Sequence, residues 1–195
     1  MEHTIHPAFS SPIYSSFINV SSKPAWSSIE FRSYGEHDTS CTNAILDRPE
    51  WSTIRTQIEE HVHNYFFNVL KFSPGPKPYI TISWASRSGY KQYHHKHAHA
   101  NSVVSGTIYF ANEDCGIVFH KPVFSTIECD VVESNIYNSG QLMIKPLEGQ
   151  ILLWPSHLEH WTETVINPRH TRYSLNFNIW VKGDISKSHT AGLYV

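Results

Sequence analysis

The chain has 195 residues and a mass of 22.4 kDa, enough for one compact domain with a real core and too short for a second of ordinary size. Hydrophobic residues make up 40% and charged residues only 16%, a balance that excludes an intrinsically disordered chain. The 17 acids nearly cancel the 15 lysines and arginines to a formal charge of -2, so no basic field exists to hold a phosphate backbone, and nucleic acid is not the expected partner.

Residues 1–40 mix short apolar groups with Ser and Pro and read as loops with one or two edge strands. From Asp47 the pattern changes. Asp47 is placed to cap, Pro49 suits a first helical turn, and Trp51, Ile54, Ile58, Val62, Tyr65, Phe66 and Val69 recur at three- and four-residue steps. This predicts one amphipathic helix over Pro49–Lys71. The prolines of Ser73–Pro78 must end it. Beyond them the chain reads as β: Tyr79–Trp84, Ser102–Ala111, Gly116–His120, Gln141–Lys145, Gln150–Trp154 and Arg172–Val181 are rich in Ile, Val, Tyr, Phe and Trp, with turn residues between. Short strands at such spacing indicate a sandwich or barrel. Lys121–Gly140 reads as a large loop carrying a short strand, of a length typical of lids and binding elements. Residues 1–195 are thus expected to form a single domain.

Cys41, Cys115 and Cys129 are odd in number and lack CxxC spacing, which argues against a disulfide framework and a cysteine zinc site and for a reducing compartment. The first residues, MEHTIHPAFSSP, show no leader pattern, and no apolar run approaches the about 18 residues that span a bilayer. The expected location is cytoplasmic, without a membrane partner.

Histidine is the outlier. Of 14, seven fall between His94 and His99 or between His157 and His170. In YHHKHAHANS, His97 and His99 are two apart, so on a strand their imidazoles would leave the same face, making half a metal site. A third ligand is available in GQILLWPSHLEHWTETV, where His157 and His160 follow an apolar strand and Pro155; a barrel can return His160 beside the first pair on a neighbouring strand. Arg172 opens the alternating run RYSLNFNIW, close enough behind His160 for a hairpin to bring it back. Arg172 and Ser174 would share a face there, offering a guanidinium fork and a hydroxyl to a carboxylate. Any one of these histidines is more simply a surface or hydrogen-bonded residue. What raises the set above that reading is its shared order and spacing.

Two blocks carry a resemblance to a known family. The first is His97-Ala98-His99 followed by Ser105-Gly106-Thr107-Ile108-Tyr109. The second runs Pro146, Gly149, Trp154, Pro155, Ser156, His160, Arg172, Ser174, Phe177, Asn178. Over Ile80–Val181 the chain resembles the small 2-oxoglutarate and Fe(II)-dependent oxygenases, many of them bacterial or phage proteins. The resemblance implies a mainly β fold, the double-stranded β-helix or cupin-like jelly roll, with the long N-terminal helix buttressing one sheet. It implies Fe(II) held by His97, His99 and His160, and 2-oxoglutarate held by Arg172 and Ser174; Tyr109 and Tyr93 are strand aromatics, more simply core, either of which could add a hydroxyl contact to it. It also implies an enzyme, a dioxygenase that couples decarboxylation of 2-oxoglutarate to hydroxylation of a small molecule or a side chain; substrate and oligomeric state stay open. One departure stands out: the wider superfamily supplies His-x-Asp or His-x-Glu, and here His99 replaces the carboxylate, raising the site's net charge by one unit and altering metal preference.

Lesser expectations attach to neighbours. Glu159 reads as a solvated turn residue or as a partner of a ligand imidazole, His94 and His95 as surface or substrate-side groups, His157 as a rim residue, and Trp154 and Trp161 as packing. Three rival readings stand beside the oxygenase. One is a cupin-like metal-binding jelly roll without turnover. Another is a three-histidine dioxygenase that ignores 2-oxoglutarate. The last is a zinc hydrolase with Glu159 as general base.

Overall fold

The computed structural model describes residues 4–5, 10–121, 130–186 and 192–194. In chain order the elements are β1 (Tyr14–Phe17), β2 (Phe31–Ser33), β3 (Asp38–Ser40), α1 (Ser52–Asn64), β4 (Pro76–Ser88), β5 (His94–His97), β6 (Val104–Tyr109), β7 (Ile117–His120), β8 (Gln141–Ile144), β9 (Gln150–Pro155), β10 (His160–Thr162), β11 (Arg172–Ser186) and β12 (Leu193–Tyr194). The protein is mainly β, as its segments rich in β-branched and aromatic residues predicted. A large sheet runs β1-β9-β6-β11-β4-β3-β2, with β12 added to β11, and a small sheet runs β5-β10-β7-β8. The paired strands are antiparallel throughout.

Two cores follow from the period-2 alternation of the central strands. On β9, Ile151 and Leu153 face the helix side, where they pack with Ile54, Ile58 and Phe66. Leu152 and Trp154 face the small sheet and pack with Tyr109, Phe119 and Leu158. Each of these fully buried side chains contributes roughly 1.5–3 kcal/mol relative to exposure, so a one-residue slip of β9 would invert both faces at once. Gly106 on β6 answers to the first core. A Cβ there would meet Phe177 Cζ at 2.4 Å and Leu153 Cδ2 at 2.6 Å, so the glycine of the Ser105-Gly106 motif makes room for the β11 aromatic lying across it.

The helix covers the expected region but is not uniform. A 3-10 turn (Pro49–Trp51) leads into α1, and a π turn (Tyr65–Val69) closes it, with Leu70 N–H donating to Tyr65 O at 2.9 Å. Asp47 makes no capping bond. It sits in a separate 3-10 turn and pairs with Arg55, which also bonds Glu59 at 2.8 Å. At the far end, Tyr65 donates its hydroxyl to Pro12 O, and burial pushes its pKa up to about 12.

Residues 10–40 form three strands rather than one or two, because the β2–β3 hairpin extends the large sheet at β4. β4 begins earlier than expected. Its prolines, Pro76 and Pro78, lie where it pairs with β11 alone, an edge position that needs no second ladder of bonds. Of the Lys121–Gly140 loop, residues 122–129 lie outside the described residues; 130–140 contain turns and no strand. No helix among the described residues is long and apolar enough to cross a membrane.

Candidate metal and cosubstrate site

The two sheets open onto a cleft lined on one side by His97, His99 and His160 and on the other by Tyr109, Arg172 and Ser174. His97 ends β5 and His160 begins β10, and the two are direct partners across the antiparallel pair. The expected return on a neighbouring strand is therefore realised residue for residue. His99 arrives differently. β5 stops at His97, so His99 is not a same-face strand neighbour; it sits in the following turn, tied by its N–H to Ser156 O at 3.0 Å. The ring centres of His97 and His99 each lie 4.4–5.1 Å from that of His160, and one nitrogen of each ring falls within 4.8 Å of the others.

The hydrogen bonding decides which nitrogens these are. His97 Nδ1 lies 2.7 Å from His95 O and His160 Nδ1 lies 3.0 Å from Leu158 O, so both rings donate outward and turn Nε2 inward. His99 Nδ1 meets Asn178 Oδ1 at 2.6 Å, and its Nε2 stands 3.2 Å from that of His97. Burial drives the imidazoles toward their neutral forms: His97 falls to about 4, His160 to about 3, and His99 is lowered as well. Three neutral nitrogens with converging lone pairs fit a divalent cation such as Fe(II).

Arg172 enters from the opposite sheet. β11 pairs with β4 and β6 and not with β10, so no hairpin joins Arg172 to His160; the long connection crosses from one sheet to the other. Arg172 is 5% exposed, a depth at which a cation needs compensation. It reaches Tyr109 Oη at 3.3 Å, stands 5.2 Å from the centre of that ring and lies 3.8 Å from Cys115 Sγ. Among the described residues no carboxylate pairs with it. Glu113 contributes favourable field but is bonded to His170 at 2.7 Å. A buried fork with a free charge, beside the Tyr109 and Ser174 hydroxyls, is suited to an anionic ligand.

Residues 82–178 match a family model described as "Putative 2OG-Fe(II) oxygenase". This segment belongs to the 2-oxoglutarate/Fe(II)-dependent oxygenases. Solved structures agree on the fold. A 2OG-Fe(II) oxygenase-family oxidoreductase from Burkholderia pseudomallei aligns at 14% identity with a TM-score of 0.55, over 78% of this chain and 72% of that one. HygX from Streptomyces hygroscopicus, solved with nickel and 2-oxoglutarate, aligns at 10% identity and TM-score 0.58 over 95% and 92%. SnoN, an α-ketoglutarate-dependent epimerase from nogalamycin biosynthesis, aligns at 10% and 0.55 over 84% and 77%. No curated protein matches in sequence. The fold of this oxygenase is accordingly the double-stranded β-helix.

Other histidines and acids of the oxygenase fall outside the triad. His94 lines the cleft, with its ring tilted against His97 at 4.3 Å and stacked on His37 at 4.0 Å, and burial pushes its pKa down to about 2. His157 is exposed and does not line the cleft. Glu159 bonds His120 at 3.0 Å and Lys96 at 3.3 Å and does not line the cleft, which removes the hydrolase reading's general base. Trp154 packs against Phe119 and His160. Asn178 and Ser105 matched the family pattern without a function being read from them. Asn178 shares the Arg172–Ser174 face of β11 by alternation, a signal the sequence did contain.

Proposed function

We propose that this oxygenase is a hydroxylase that binds iron through His97, His99 and His160 and anchors 2-oxoglutarate through Arg172, Ser174 and Tyr109. The observation that carries the reading is the buried Arg172 guanidinium, unpaired with any carboxylate among the described residues, in the same cleft as three inward imidazole nitrogens. Iron and 2-oxoglutarate together supply an oxidant by oxygen-dependent decarboxylation to succinate and carbon dioxide. The chain's own task is orientation. The β5–β10 pair holds two nitrogens, and the Asn178-bound turn holds the third. On the facing sheet, Arg172 and Ser174 fix a diacid by its distal carboxylate, leaving the other end toward the imidazoles. The apolar wall of Ile117 and Trp154 limits water at the reacting centre.

Hydroxylation is the outcome proposed, although an epimerase shares the fold. The substrate is a small molecule or an exposed side chain. We also infer that residues 1–195 work as one domain, supported by α1 and β1–β3 building on the same sheet as the motif strands. A cytoplasmic setting is part of the proposal, supported by the free thiols of Cys41 and Cys115.

The second reading, a three-histidine dioxygenase without cosubstrate, is favoured by one observation, His99 in the place of a carboxylate. Anaerobic addition of 2-oxoglutarate to the Fe(II)-loaded protein discriminates. The expected result is a visible charge-transfer band, and succinate once oxygen is admitted. Iron binding with neither band nor succinate selects the second reading.

A further inference from the structure

We propose that Asn178 is a positioning residue for the metal: its side-chain carbonyl presets His99 with hydrogen on Nδ1 and with the Nε2 lone pair turned toward His97 and His160. The inference rests on the triad reading above. His97 and His160 give Nδ1–H to main-chain carbonyls, which only accept, so local backbone fixes their tautomers. His99 has no such carbonyl. Its Nδ1 lies instead 2.6 Å from Asn178 Oδ1 and 2.9 Å from Ser105 Oγ, and Ser105 donates to the same Oδ1 at 2.9 Å. Asn178 and Ser105 are direct partners on β11 and β6, and Ser105 is braced by Ser156 at 2.8 Å, so the acceptor is fixed by three segments of the large sheet's connections.

His99 needs such a device more than its neighbours do. It sits in a turn, and its Nε2 faces His97 Nε2 at only 3.2 Å. In the metal-free protein a hydrogen on His99 Nε2 could donate to the His97 lone pair and close the ligand position. The Asn178 carbonyl opposes that by accepting at Nδ1. Its amide turned about would donate to Nδ1 and select the wrong tautomer. A hydrogen-bond acceptor behind a ligand imidazole orients the ring and raises its basicity, and loss of such a partner typically weakens metal binding about 10–100-fold.

The test uses the full chain with Co(II), whose visible absorbance reports coordination, and nitrogen-resolved NMR of the metal-free protein. Asn178→Leu should bind Co(II) about 10–100-fold more weakly than wild type. Asn178→Asp, which keeps the acceptor and adds charge, should bind at least as tightly. In the metal-free wild type, NMR should find the His99 hydrogen on Nδ1. Three results would each overturn the assignment: the hydrogen on Nε2, unchanged affinity in Asn178→Leu, or a folded Asn178→Asp that binds more weakly than wild type. The latter variant and the NMR decide the matter if the leucine variant does not fold. Wild type that binds no Co(II), or His97→Ala and His160→Ala that bind it undiminished, would sink the triad itself and this inference with it. Binding that depends on His97 and His160 but not on residue 178 would sink the role of Asn178 alone.

Discussion

Replacing Arg172 with alanine separates the cosubstrate reading from its rivals. The side chain is almost wholly buried, and among the described residues only Tyr109 and Cys115 engage it by hydrogen bonds, so most of its five N–H donors are available to a bound carboxylate. Truncating one partner of a buried, hydrogen-bonded charge pair costs about 2–5 kcal/mol. At 1.4 kcal/mol per tenfold, that is a loss of roughly 30- to 4,000-fold in affinity for 2-oxoglutarate. Water entering the space left by the side chain would solvate the stranded carboxylate and favour the lower end of that range. Calorimetric titration of 2-oxoglutarate into anaerobic, Fe(II)-loaded protein measures it directly. Arg172→Lys should fall between, since it keeps the charge and loses the planar fork. Without 2-oxoglutarate, thermal stability should suffer little in Arg172→Met, because the wild-type cation is desolvated with no carboxylate among the described residues paired to it. An unchanged dissociation constant in Arg172→Ala would remove this residue from the site and the main argument for 2-oxoglutarate with it.

Other expectations are quicker to check. His97→Ala and His160→Ala should each lose iron by metal analysis while keeping the far-ultraviolet dichroism of a β protein; stoichiometric iron in both would mean the ligands are others. His99→Asp should retain iron and yield succinate at least as fast as wild type, and loss of all metal would show that the position does not accept a carboxylate. Acid stability has a definite sign. The folded His97 and His160 titrate near 4 and 3 against 6.5 for an unconstrained histidine, so below pH 6.5 the unfolded chain binds more protons than the folded one. Denaturant melts of metal-free protein should therefore show no contribution from these groups above pH 6.5, falling stability as pH drops from 6.5 toward 3, and no further loss from them below. Stability that rises over that interval would contradict neutral, buried imidazoles. Gly106→Ala should cost about 1–3 kcal/mol in urea melts, since its methyl must displace Phe177 or Leu153; a neutral effect would show that the sheet yields there.

The sequence by itself settled what repeats locally and what chemistry is on offer. The alternating run of β11 and the apolar run of β9 predicted strands there, three- and four-residue spacing predicted the helix, and clustered histidines with a following Arg and Ser named candidate ligand positions. These signals are legible because helix and strand periods are properties of a few consecutive residues. The tertiary structure alone decided how those positions meet. It set His97 opposite His160 in register, stopped β5 before His99, and carried Arg172 to the facing sheet instead of back along a hairpin. It also brought Asn178 against a ring 79 residues away. Which strands pair, and where one ends, depends on burying both faces of a sheet at once, a long-range condition that no single window of sequence contains.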